Sequence, residues 1–302
     1  MSREQAMHWL RALRPAQWLK NAVVPAAYFF ARWDPGQQGR VEGLAPILLE
    51  ALAFVCFCAV SSGVYLMNDL RDIEADRAHP LKRSRPLAAG LIGAGQARLA
   101  AAALLAAGAG LSLLLPQAFA CVLGGYVAMQ VVYTFALKRI SYVDVFVIAT
   151  GFVLRAVAGA TALAVRISPW LLLCTFLLAL FLALCKRRHE KILLDAASGA
   201  AHRAALAGYD RYLLDMQIAV VAASTLVCYA IYTLSEETVR RFGTNRLGLT
   251  IPFVVFGIFR YMELVYRHDR GGRPEAVMLT DKTMIVTVAL YLLTALTVFL
   301  TV

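Results

Sequence analysis

Charge is scarce in this chain, and acidic charge is scarcest. Only 16% of the 302 residues are charged, with 19 Asp or Glu against 30 Lys or Arg. A soluble domain needs more polar surface than a 60% hydrophobic composition with a mean hydropathy of +0.66 supplies. No Pro/Gly/Ser-rich linker is long enough to separate two domains, so a single integral domain over 1–302 is expected. Arg3, Glu4, His8, Arg11 and Arg14 precede any apolar run, so no cleavable leader is expected. Cysteine pairs with metal spacing are missing too. Cys56, Cys58, Cys121, Cys174, Cys185 and Cys228 all fall inside apolar runs and read as small buried hydrophobes. The net charge of +11 comes without an aromatic-rich basic module, which excludes a nucleic-acid partner. No Ser-His-Asp or Cys-His arrangement is legible, and His79, His189, His202 and His268 lie in polar segments where a histidine base has little support.

What the chain has in abundance is long apolar runs. Nine of them, near 19–33, 45–67, 97–115, 118–137, 143–164, 169–185, 216–235, 247–266 and 283–301, approach or exceed the ~20 residues that cross a bilayer as a helix. The expected fold is an all-α integral membrane protein of about nine transmembrane helices, with the lipid bilayer as its solvent. Residues 1–18 form an interfacial segment, and 3–13 have the pattern of an amphipathic surface helix. With the N-terminus inside, the inner loops hold 22 Lys/Arg and the outer loops six, so the N-terminus is placed in the cytoplasm. The cytoplasmic loops that matter are 68–95 and 186–215. The Ala-rich tract 88–110, with Gly90, Gly93, Gly95, Gly108 and Gly110, reads as a small-residue face for close helix packing.

The stretch Asn68-Asp69-Leu70-Arg71-Asp72-Ile73-Glu74-Ala75-Asp76 follows the second run directly. On one continuous helix its three aspartates would lie on a single stripe, within about 60° of each other. Crowded carboxylates at a membrane surface repel unless a cation holds them. Hard oxygen donors with room for phosphate oxygens suit Mg²⁺, which takes one or two carboxylates plus substrate phosphates and water. Arg77 and the cationic loop containing Lys82, Arg83 and Arg85 come next and can clasp the same phosphates. The segment therefore reads as a diphosphate–Mg²⁺ site, with Asp72, Asp76 and Asn68 as metal ligands and Asp69 in support. The plainer alternative is a solvated loop of topogenic arginines.

Further polar groups fall on the same predicted side. Arg14, Gln17, Lys20 and Asn21 sit at the start of the first run, where Trp18 reads as an interfacial anchor. Tyr133 and Lys138 close the fourth run; Tyr142 and Asp144 open the fifth, which contains Arg155. An arginine about three turns into a span faces a polar cavity or a buried acid, and Asp144 is open either to pairing with it or to binding substrate. The sixth run ends in Lys186-Arg187-Arg188-His189-Glu190-Lys191, with Asp195 beyond. Lys186, Arg187 and Glu190 are favoured for a site; Arg188 and Lys191 fit membrane anchoring equally well. Asp210 and Asp215, about 140° apart on a helix, do not form a second acidic motif.

Together these segments resemble the UbiA superfamily of intramembrane prenyltransferases, almost from end to end. The likeness rests on Leu13–Asn21, on Asn68–Pro80, on Lys82–Gly90, on Gly151–Ala156, on Lys186-Arg187 with Glu190, and on Pro274-Glu275. The aspartate motif is superfamily-wide. The N-terminal segment and the Lys186-Arg187-x-x-Glu190 cluster point to the branch that moves phosphoribose, because the rest of the superfamily carries a second aspartate motif after the sixth span. The resemblance implies a UbiA-type bundle with a cytoplasm-facing central cavity, in the inner (cytoplasmic) membrane, and Mg²⁺ as cofactor. It implies transfer of 5-phosphoribose from phosphoribosyl diphosphate to a polyprenyl phosphate, for lipid-linked arabinose used in the cell envelope. In that reading Asp69, Asp72 and Asp76 are catalytic. Arg14, Lys20, Asn21, Asn68, Lys82, Arg83, Arg85, Tyr133, Lys138, Arg155, Lys186, Arg187 and Glu190 bind substrate. Which cations meet the lipid phosphate and which the ribose 5-phosphate stays open, as does assembly into a homo-oligomer. Two other readings compete. One is an aromatic polyprenyltransferase of the same superfamily that uses a polyprenyl diphosphate; the other is an anion transporter, against which the clustered carboxylates argue.

Overall fold

In a bilayer the backbone has no water to bond, so long apolar runs close their hydrogen bonds internally as helices. The computed structural model describes residues 2–78, 82–196, 208–272 and 274–301, and every regular element among them is helical. Among the described residues eight helices are long and apolar enough to cross a membrane, and the protein is a multi-pass membrane protein. The helices used below are α1 (Arg3–Leu13), α2 (Ala26–Arg32), α3 (Ala45–Arg71), α4 (Ile73–Ala78), α5 (Ala94–Ser112), α6 (Gln117–Phe135), α7 (Val143–Ala162), α8 (Pro169–Ala196), α9 (Arg211–Leu234), α10 (Glu236–Phe242), α11 (Ile251–Arg267), α12 (Pro274–Thr280) and α13 (Lys282–Leu300).

Eight of the nine apolar runs become single long helices. The first, 19–33, is shared between a 3-10 segment, Pro15–Val23, and the two-turn α2. The expected loop 186–215 is helical at both ends, because α8 continues to Ala196 and α9 begins at Arg211. The cluster Lys186–Lys191 is thus carried on helical turns. His79 and His202, and the side chain of Asp195, lie outside the described residues. Local chemistry sets the helix ends. Ser2 and Gln5 form a capping box on α1, and the Asp210 and Asp281 carboxylates accept from Leu213 and Met284 to start α9 and α13.

The chain forms two compact units. The first comprises Met1–Tyr28, Arg40–Ile140 and Leu154–Val165; the second comprises Phe29–Gly39, Ser141–Val153 and Arg166–Val302. In the first unit α3 and α5 run antiparallel in close contact, and Phe57, Phe119, Tyr126 and Ala158 fill the interior. Ala12 of α1 packs with Leu66, Leu87 and Ile92, while Met7 and Leu10 stay exposed, which suits a helix lying at an interface. In the second unit α8 and α9 pack together, with Phe181, Leu184, Leu214, Ile218, Tyr261 and Leu264 in its core. Trp33 stacks on Phe299 at 5.6 Å there, and next to it Asp34 takes Arg241 Nε at 2.6 Å. Burial works against the Asp34 charge, but Gln37 and Arg241 win and hold its carboxyl below the ordinary range.

Of the glycines in the Ala-rich tract, Gly108 makes the close approach: a Cβ there would meet Val60 Cγ2 at 2.5 Å. A tighter contact lies elsewhere, where a Cβ on Gly159 would fall 2.0 Å from the carbonyl oxygen of Val24. Backbone cannot move aside as a side-chain tip can. Gly159→Ala is therefore expected to destabilise the first unit by about 1–3 kcal/mol or more, lowering the thermal midpoint in detergent. Gly110→Ala, where a Cβ meets nothing within 4 Å, is the control and should leave the midpoint unchanged or slightly raised.

Candidate functional site

The Asn68–Asp76 segment does not stay on one helix. α3 ends at Arg71, and Asp72 leaves helical geometry at φ −103°, ψ 11°. Its carbonyl accepts from the Asp76 amide at 2.7 Å, which starts α4. The break separates the aspartates into two environments, which correct the expected single stripe. Asp69 and Asp76 have side chains 3% and 6% exposed; Asp72 is 34% exposed.

Each carboxylate is met by a cation of the first unit, and for Asp69 and Asp72 the cations include one distant in sequence. Arg14 Nη2 reaches Asp69 Oδ1 at 2.5 Å, from a residue whose left-handed backbone (φ 54°) ends α1. Arg85 Nη1 lies between two acids, 3.1 Å from Asp69 Oδ1 and 2.6 Å from Asp76 Oδ2. Buried Lys138, on the 3-10 turn after α6, donates to Asp72. Thr134 donates to Asn68 Oδ1 at 2.6 Å and fixes that amide. Arg83 is exposed, whereas Lys82, Lys20 and Tyr133 are half-buried and engaged with neighbours.

Asn21 and Arg155 meet in the interior of the same unit. Arg155 Nε donates to Asn21 Oδ1 and its Nη2 donates to the Tyr126 hydroxyl, both at 2.8 Å. Asn21 is fully buried and donates to Ser61, and the guanidinium lies over the Tyr126 ring at 4.8 Å. Trp18 is more than an anchor, since its indole N–H donates to Ser62 Oγ at 3.0 Å.

A second cluster belongs to the second unit. Asp144, with no exposed surface, ion-pairs with Arg187 Nε at 2.6 Å and accepts from the Tyr209 hydroxyl at 2.6 Å. Arg187 also holds Glu190. The expected pairing of Asp144 with Arg155 is replaced by one with Arg187, while Arg155 is taken by Asn21 and Tyr126. Burial pushes the Tyr209 phenol well above its ordinary range, and donation to Asp144 pushes it further. Arg188 takes Asp215 at 2.5 Å and stacks on Tyr266, while Asp210 caps α9. Sequence reading missed Thr134, Tyr126 and Tyr209. The first two are embedded in apolar runs, and Tyr209 is 65 residues from its partner, with no periodic signal to link them.

Among the described residues no three His, Cys, Asp or Glu side chains gather as a ligand set. Mg²⁺ needs fewer, and the donors fit it: two buried carboxylate oxygens already converge on one positive nitrogen, Arg85 Nη1.

The profile of the UbiA prenyltransferase family matches residues 37–278. The chain belongs to the UbiA prenyltransferase family. Within it, the chain is 38% identical over 279 residues to the decaprenyl-phosphate phosphoribosyltransferase of Corynebacterium glutamicum, covering 91% of this chain and 81% of that one. It is 35% identical to the protein of the same name from Mycobacterium tuberculosis, covering 91% and 88%. The fold of this UbiA member matches that of a UbiA homolog from Archaeoglobus fulgidus solved with GPP and Mg²⁺. The TM-score is 0.71 at 20% identity, covering 97% of this chain and 99% of the other.

The Asp144–Arg187 pair makes a distinction testable. Arg187 is 2% exposed with its guanidinium committed to carboxylates. Arg187→Ala should strand a buried charge and cost about 3–5 kcal/mol of stability. Adding Asp144→Asn should recover part of that loss in the thermal midpoint. A midpoint unmoved by Arg187→Ala would return Arg187 to a purely ligand-binding role.

Proposed function

We propose that this protein transfers 5-phosphoribose from phosphoribosyl diphosphate to a decaprenyl-type polyprenyl phosphate, releasing diphosphate, as a step toward lipid-linked arabinose for the cell envelope. The observation that carries this reading is the asymmetry between the acidic clusters. In the first unit three acids of one short segment stand together, and the cation that Asp69 and Asp76 share, Arg85, is 29% exposed. In the second unit the acids near the end of α8 come from separate segments, and the cation that Asp144 and Glu190 share, Arg187, is only 2% exposed, while Arg188 holds Asp215. That leaves one acidic motif for a diphosphate and its metal, as a phosphoribosyl diphosphate donor requires. Relatives that are 34–38% identical and bear the phosphoribosyltransferase name support the same donor.

The chemistry follows from charge. Asp72 and Asp76, with Asp69 and Asn68 in support, would hold Mg²⁺, which neutralises the leaving diphosphate when bound. Arg85, Lys82 and Arg83 stabilise the charge that grows as the bond between ribose C1 and the diphosphate oxygen breaks. C1 becomes oxocarbenium-like, and an oxygen of the polyprenyl phosphate forms the new bond to it. That oxygen is already anionic, so no side chain has to remove a proton. Arg14 holds Asp69 in place, and Lys186 remains a candidate ligand for a substrate phosphate. The cytoplasmic side is the proposed location of the reaction, because the Lys/Arg excess places these helix ends there.

Purified protein given phosphoribosyl diphosphate and polyprenyl phosphate should release diphosphate only with a divalent cation present, Mg²⁺ being best. Asp72→Asn and Asp76→Asn should each lower kcat by about a hundredfold or more while the protein still inserts. Near wild-type turnover in either variant would remove the motif from the site. Labelled polyprenyl diphosphate with an aromatic acid should give no prenylated product. Product there, with phosphoribosyl diphosphate inert, would replace this reading with aromatic prenyl transfer.

A further inference from the structure

We infer that Arg85 is an exchangeable counter-ion: it holds Asp69 and Asp76 together until the donor's diphosphate arrives with a divalent cation, and then passes to the diphosphate. This rests on the donor reading above and adds an order of events to it.

Three features single out Arg85. First, one of its nitrogens contacts both acids, at 3.1 and 2.6 Å, so it occupies an oxygen of Asp76, a metal ligand in the reading above, together with the supporting Asp69. Second, it is carried on a turn rather than at a helix end, its amide bonded to the Lys82 carbonyl at 2.9 Å. Arg14, by contrast, is fixed at the end of α1, with its guanidinium over the Tyr65 ring at 5.1 Å. Third, the acids it bridges are nearly buried, so they need a positive charge at all times. A guanidinium and a divalent ion cannot share that oxygen, because like charges a few ångströms apart in a partly dry site repel strongly.

The consequence is thermodynamic coupling. A bare divalent cation must expel Arg85 without offering it a new anion. A cation that comes with diphosphate supplies one, since diphosphate oxygens are good guanidinium acceptors. Metal and diphosphate therefore favour each other through Arg85 beyond their direct chelation, and the effect is reciprocal. Arg85 is then both the resting counter-ion of the acids and the residue that meets the leaving group.

Mn²⁺ binding to the full-length protein in detergent, followed by electron paramagnetic resonance at matched free Mn²⁺, tests this without turnover. Arg85→Gln should bind Mn²⁺ alone about tenfold more tightly than wild type, the equivalent of one charge-assisted contact removed from competition. Arg85→Lys, which keeps the charge, should stay within about threefold of wild type on the same scale. Inorganic diphosphate should strengthen Mn²⁺ binding to wild type by a factor several times larger than in Arg85→Gln. Equal or weaker Mn²⁺ binding by Arg85→Gln alone, with diphosphate still promoting binding in wild type, overturns the exchange and leaves the donor site standing. Failure of wild type to bind Mn²⁺ even with diphosphate overturns both.

Discussion

Carboxylates cannot be left bare at the edge of a membrane-embedded fold, and much of the first unit answers to that constraint. Asp69 and Asp76 are almost fully buried and Asp72 is partly so. The two buried ones would each impose a penalty of several kcal/mol without a counter-charge. The counter-charges come from Arg14, Arg85 and Lys138, far apart in the chain. Satisfying three acids therefore ties the end of α1, the turn after α4 and the turn after α6 to the end of α3. The cluster is a structural clasp as well as the place proposed for the chemistry. The exposure of Asp72 gives that clasp an accessible edge.

The second unit solves a similar problem with the opposite balance. Arg187 is the charge to be buried; Asp144 and Glu190 hold it, and Tyr209 donates to Asp144. Arginine suits this because its planar fork can serve two carboxylates at once. The same side chain in a sequence suggests a phosphate ligand; in the fold its guanidinium is paired with carboxylates. Arg155 too is engaged in the first unit, where Asn21 and Tyr126 satisfy it deep among apolar neighbours. An intramembrane cation thus marks a polar interior without saying whether a substrate reaches it.

The break at Asp72 links local backbone to function. A continuous helix would have set all three aspartates on one stripe in mutual repulsion. Ending α3 at Arg71 and starting α4 at Ile73 turns Asp72 toward Lys138 and leaves Asp69 and Asp76 to share Arg85. Two acids on one cation and a third apart suit a metal that takes few protein carboxylates and completes its shell with phosphate and water.

The amino-acid sequence determined by itself that the chain is helical and membrane-spanning, since runs of this length and hydropathy have no other way to bond their backbones. It also identified the Asn68–Asp76 segment, because clustered acids are conspicuous in a chain with so few. Charge type and spacing along the chain carry that information. Partner choice does not lie along the chain. That Arg14 serves Asp69, that Lys138 serves Asp72, that Asp144 belongs to Arg187 and Tyr209, and that the first apolar run divides into a 3-10 segment and a short helix were decided by packing. An ion pair depends on distance in space, and residues 43 to 66 positions apart acquire a distance only when the helices between them have folded.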